Sequence, residues 1–143
     1  MLIGIPSILS PKLLKILMEM GHGDEILLAD GNFPAASMAQ RLVRLDGHDI
    51  APILDAVLKI FPLDTYVDKP VALMEVVPGD DYIPVVQTTY RNIVAKHDKN
   101  ANIEEIERFA FYKRAKKAYA IVATGEGAKY ANIILKKGVV APV

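Results

Sequence analysis

The run EILLAD (Glu25 to Asp30) constrains the fold most, because it is continuously apolar rather than alternating. A strand with that pattern must be covered on both faces, as in a parallel sheet packed between helices. Helical patterns recur around it. Before it, Ser10 can cap a helix, Pro11 suits the first helical position and Gly21 can take the left-handed C-terminal conformation. Leu13, Leu14, Leu17 and Met18 fall on one face of that helix. After it, GNFPAASMA reads as a loop leading into one helical turn beyond Pro34.

The same alternation continues to the C-terminus. Asp49 to Phe61 reads as a helix capped by Asp49, with Ile53, Leu54, Val57, Leu58 and Phe61 on its apolar side. Pro70 to Val77 is a strand stopped by Pro78 and Gly79, and Ile83 to His97 is a helix with an early proline. Asn102 to Arg108 is ambiguous, since Ile103 and Ile106 fit a helix face at least as well as a strand. Phe109 to Ala118 reads as a helix, and Tyr119 to Gly125 and Ala131 to Gly138 as strands. The expectation is an α/β fold: a single compact domain over residues 1–143, with a mostly parallel sheet flanked by helices.

Composition narrows the function classes. The 17 basic and 17 acidic residues cancel, so no strong field favours nucleic acid or an anionic membrane. The basic cluster KRAKKA (Lys113 to Ala118) reads as a solvated helix face. With no cysteine, disulfides, thiolate chemistry and Cys-type zinc sites are excluded, and the cytoplasm is the expected compartment. No run of 18 apolar residues exists, and the N-terminus lacks a basic start and a cleavage site, so neither a membrane helix nor a signal peptide is expected. A chain that is 52% hydrophobic most simply hides the surplus against copies of itself, as a homo-oligomer. GEG (Gly125 to Gly127) lacks the spacing of a dinucleotide fingerprint, and there is no Walker pattern.

In parallel α/β sheets, ligands bind beyond the carboxyl ends of the strands. Asp30 ends the first strand and TGEGAKY follows a later one, so the two loops can meet at one rim. His22 lies between two glycines and offers an imidazole that gives and takes a proton near neutrality; it reads equally as a helix-end histidine bonded to the last carbonyls. Asp30 is a ligand contact or a turn former before Gly31 and Asn32. Arg108 can fork onto vicinal hydroxyls or pair with Glu104 or Glu105. Tyr130 and Asn132, flanking Ala131, can serve a sugar's hydroxyls or sit on an edge strand. His48 and His97 read as solvated. His22, Asp24 and Asp30 make a poor metal cluster, and no metal is expected.

Three segments, SPKLLKILMEMGHGDEILLADGNFPA, RFAFYKRAKKAYAIVATGE and KYANIILKKGV, together resemble the bacterial sugar mutarotase family, nearly end to end. RFAFY-x-RA resembles the branch acting on L-fucose; the D-ribose branch has a different, His-containing stretch there. The resemblance implies an isomerase without a cofactor that interconverts α and β anomers of L-fucose. It implies a ring-shaped homodecamer with sites between neighbouring subunits. By matching position, it makes His22 the proton-transferring residue and Asp30, Arg108, Tyr130, Ala131 and Asn132 the sugar's contacts. Some relatives have a histidine where this chain has Asn32, so Asn32 is assigned no proton transfer. Two other readings are a D-ribose pyranase and a sugar-binding module without catalysis.

Overall fold

Side chains along the central strand point in turn into two separate apolar layers. In the computed structural model, which describes residues 1–142, this strand is β1 (Glu25–Ala29). Ile26 and Leu28 enter one cluster with Leu13, Leu54 and Val94, whereas Leu27 and Ala29 enter another with Phe111 and Ala115. Two-sided burial is why the run is continuously apolar. At about 1.5–3 kcal/mol for each fully buried large aliphatic side chain, these two layers are the main driving force for the fold.

The other elements follow as α1 (Pro11–Glu19), α2 (Ala35–Met38), β2 (Leu42–Leu45), α3 (Ile50–Leu58) and β3 (Val71–Met74). Then come α4 (Val85–His97), β4 (Ile103–Ile106), α5 (Arg108–Lys117), β5 (Ala120–Thr124) and β6 (Ile133–Lys136). The six strands form one sheet in the order β2-β5-β1-β6-β3-β4. Only β6 runs against the rest: it pairs antiparallel with both β1 and β3. The expected mostly parallel sheet is therefore found, with one reversed strand near its centre. Among the described residues no helix is long and apolar enough to cross a membrane.

Local punctuation explains most boundaries. Ser10 caps α1 by accepting from the Leu13 N–H at 3.2 Å, with Pro11 beside it. The left-handed turn after α1 is made by Gly23 (φ 86°) rather than Gly21, whose N–H instead donates to the Asp24 carboxylate. Met18, expected on the buried face, is exposed; Ile16 takes that place. Asp49 occupies the cap position of α3, but the carboxylate that accepts from Ile50 N–H belongs to Glu126, across the fold. Gly125 is required by close approach: a Cβ there would lie 2.2 Å from the carbonyl oxygen of Asp46.

The edge strands are where the sequence pattern misleads. Ile103 and Ile106 belong to a strand, β4, and the intervening charges are paired: half-buried Glu104 with Arg114 and exposed Glu105 with Arg91. At the opposite edge β2 carries Arg44 and was not anticipated at all. Charges on outer strands discourage pairing with other chains, and they also hide the strand signal. Arg114 also grips Glu25 through its guanidinium, so part of the KRAKKA cluster is structural rather than solvated.

His48 is exposed, as expected, but His97 is not. It closes α4 with Nε2 2.7 Å from Asp55 of α3, and Lys96 lies 2.6 Å from the same carboxylate. Hydrogen bonds from Lys96 and His97 hold the Asp55 pKa at about 2, below its ordinary 3.8. A carboxylate depressed in the fold stabilises it fully above its unfolded pKa, and that contribution disappears as pH falls through the folded value. Asp55→Asn is therefore expected to melt below the parent at neutral pH and to converge with it as pH falls from about 4 to about 2 in calorimetry. Tyr90, fully buried on α4, has a hydroxyl with no hydrogen-bond partner among the described residues. Tyr90→Phe is expected to leave the melting temperature unchanged or raise it, by up to about 1 kcal/mol of stability.

Candidate active site

The carboxyl ends of β1, β3 and β4 meet the start of β6, and a cleft of about 240 Å³ opens between them. Asp30, Arg108, Tyr130 and Asn132 all line it, together with Asn32, Tyr112 and Asp80. Residues from three separate stretches of the chain thus converge. The loops after β1 and β5 do share one rim, joined by Gly31 N–H donating to the Glu126 carbonyl at 2.8 Å.

Asp30 is buried and positioned from several sides. Its backbone N–H donates to Asn132 Oδ1 at 2.8 Å, which ties the end of β1 to the start of β6. That bond also fixes the Asn132 carboxamide: its oxygen is engaged, so its NH2 is what it presents to the cleft. Burial is the largest influence on the Asp30 carboxyl and raises its pKa above 3.8, with Glu126 adding to the rise. Backbone N–H groups of Asn32, Phe33 and Ala131 oppose it, the first at 3.0 Å. Ala131 is fully buried and contributes through this N–H.

Arg108 begins α5, immediately after Glu107, whose side chain accepts from Phe109 and Ala110 N–H as the helix cap. Its expected alternatives, Glu104 and Glu105, are both taken by other arginines. Arg108 makes no ion pair among the described residues; its guanidinium lies 4.6 Å from the centre of the Phe109 ring and faces the cleft. A free planar fork of donors suits adjacent hydroxyls.

Tyr130 is not an edge-strand residue. It stands in the loop before β6 with φ 55°, the one positive φ of a non-glycine among the described residues. Such a conformation costs roughly 1–3 kcal/mol and persists where the surroundings enforce it, commonly at ligand sites. Its hydroxyl donates to Asp80 at 2.7 Å and accepts from Val77 N–H at 3.3 Å, so the hydroxyl expected to be free is anchored in the β3–α4 loop. The contact holds the Asp80 carboxyl below its usual value and raises the Tyr130 phenol.

His22 is the residue the structure does not bring to this cleft. It precedes β1, whereas Asp30 follows it; at about 3.3 Å per residue, the two ends of the sheet are roughly 15–20 Å apart. There its ring Nε2 lies 2.9 Å from Asp64 Oδ1, with the Tyr66 ring 5.1 Å away. Asp64 is buried, accepts from Tyr66 N–H at 3.0 Å, and donates its own N–H to Lys136 O at the far end of β6. Burial would raise the Asp64 carboxyl; the Tyr66 N–H and the His22 ring outweigh it, and the pKa falls below 3.8. An ionised Asp64 accepts a hydrogen bond from Nε2–H and leaves Nδ1 as the nitrogen with a free lone pair. The side chain of His22 is 45% exposed, so this nitrogen is open to whatever docks at that end.

Sequence reasoning missed Asp64, Asp80 and Lys129, which lie in loops with no periodic signal, and Gln87, which reads as an ordinary helix residue. Known proteins are similar to this chain along nearly its whole length. A fucose mutarotase from Streptococcus pneumoniae, solved in complex with L-fucose, is 56% identical, with 98% of this chain and 100% of that one covered and a TM-score of 0.93. The human fucose mutarotase is 53% identical over 144 residues, covering 96% of this chain and 94% of its own length. The L-fucose mutarotase of Actinobacillus pleuropneumoniae serotype 5b is 50% identical over 140 residues, 97% of each chain. With the family model matching residues 3–140 as well, the chain belongs to the RbsD / FucU transport protein family.

Proposed function

We propose that this protein is an L-fucose mutarotase, an isomerase that interconverts the α and β anomers of the free sugar by opening and reclosing its ring. The observation that carries the reading is the cleft on which Asp30, the unpaired Arg108 guanidinium and the Asn132 NH2 converge, in a chain about half identical to fucose mutarotases along nearly its whole length. Asp30 accepts from sugar hydroxyls, the Arg108 guanidinium and the Asn132 NH2 donate to them, and the Tyr130 and Tyr112 rings line the sugar's apolar face. The Ala131 N–H keeps the Asp30 carboxylate aimed.

His22 supplies the proton transfer, but to the cleft of a neighbouring copy, since its own lies at the other end of the sheet. Nδ1 takes the proton of the anomeric hydroxyl while the bond from the anomeric carbon to the ring oxygen breaks, and the proton is delivered to that oxygen. Rotation of the resulting aldehyde and reversal of these steps give the other anomer; no electron leaves or enters the sugar. Asp64 holds the ring in the tautomer this requires. One such domain over residues 1–143, assembled as a cytoplasmic ring-shaped decamer with sites between subunits, completes the reading, as the sequence resemblance implies.

His22→Ala is expected to slow anomer exchange of L-fucose about 10²–10⁴-fold in saturation-transfer NMR while the assembly stays intact. Asp30→Ala is expected to be similarly inactive. Mixing the two inactive variants during assembly is expected to restore up to about a quarter of the parental rate, because randomly mixed neighbours rebuild that share of intact sites. No recovery on mixing would refute a site shared between copies. Asp64→Asn is expected to lower kcat about tenfold or more with KM little changed. Running D-ribose beside L-fucose distinguishes the pyranase reading, and sugar binding without rate enhancement distinguishes a non-catalytic module.

A further inference from the structure

Gln87 lies on the inward face of α4 and is buried. Its Nε2 donates to the carbonyl of Met74, the last residue of β3, and to the carbonyl of Tyr130, both at 3.0 Å. Both partners are acceptors, so the orientation of the carboxamide is fixed, and the two hydrogens of one nitrogen span the gap between β3 and the loop before β6. That loop holds the strained Tyr130, with Asn132 two residues further on. The Tyr130 hydroxyl is tied down separately at Asp80, so the ring is fixed at its tip while its backbone depends on Gln87. A left-handed conformation of a bulky residue persists only where its surroundings over-determine it, and Gln87 is the side chain that reaches its carbonyl.

We infer that Gln87 is a positioning residue for the sugar: its carboxamide bridges Met74 and Tyr130, holds Tyr130 in the left-handed conformation, and thereby sets where the Tyr130 ring meets the ligand. The inference rests on the reading that this cleft takes the sugar. Gln87 itself does not line the cleft; it acts through Tyr130, a group that touches the sugar in ground and transition state alike, so its loss weakens binding rather than chemistry.

Gln87→Met keeps the volume and removes both donors. Its KM for L-fucose is expected to rise about tenfold with kcat within about threefold of the parent, and its crystal structure is expected to show Tyr130 out of the left-handed region. A role confined to stability would lower the melting temperature and the active fraction, hence kcat, and leave KM in place. In a Tyr130→Ala background, adding Gln87→Met is expected to leave KM where the single change puts it. An unchanged KM and Tyr130 φ in Gln87→Met, or the same tenfold loss without Tyr130, overturns the inference. Should Gln87→Met fail to assemble, Gln87→Asn keeps a donor that cannot reach both carbonyls; a smaller rise in KM supports the inference and an unchanged KM and φ overturns it. The Tyr130 conformation is read without sugar, so a parent protein inactive on L-fucose would sink the functional reading while the crystallographic result still decides the role of Gln87.

Discussion

The hydrogen bond from Asp30 N–H to Asn132 Oδ1 is the junction on which the cleft depends. It joins two strands that run in opposite directions, the end of β1 to the beginning of β6. An all-parallel sheet would put only strand ends at this rim. The reversal of β6 adds a strand beginning, and with it Tyr130, Ala131 and Asn132 arrive where Asp30 leaves. The buried carboxamide does two things at once. It satisfies a backbone N–H that would otherwise be costly to bury, and it turns its own NH2 toward the ligand.

Electrostatics at the two ends of the sheet differ in kind. Asp30 is a carboxyl whose burial outweighs the backbone donors around it, so it is less acidic than usual and gains most from a partner that brings donors. Asp64 is equally hidden, but it faces a histidine, and it is more acidic than usual. One carboxyl is therefore suited to accept hydroxyls, as proposed, and the other steadies an imidazole. The same residue type is set to different tasks by what stands 3 Å away.

What the sequence made legible was local. The Ser10–Pro11 start of α1, the buried β1, the turn after Pro34 and the bounds of α3 and α4 follow from capping, proline placement and apolar spacing within a few residues. Asp30, Arg108 and Asn132 could be named because they terminate or begin elements, which is where side chains reach a rim. The edge strands β2 and β4 were harder, since charged residues interrupt their apolar runs; those of β4 pair with Arg91 and Arg114, and Arg44 of β2 pairs with Asp46 two residues on. Eight residues separate His22 from Asp30, yet a fully extended strand intervenes and carries them to opposite ends. Asp64 meets His22 from 42 residues away and Gln87 meets Tyr130 from 43 residues away, separations for which no periodicity exists.

That separation of His22 from the cleft has a geometric consequence for assembly. If His22 serves a neighbour's cleft as proposed, each chain offers its imidazole at one end and its cleft at the other, and the two do not overlap. Copies that join head to tail in an open row leave one widowed surface at each tip. A two-fold pair exchanging ends, or a row that bends round until it closes, leaves none. In that arrangement symmetry, rather than any additional contact, is what would let every copy be complete.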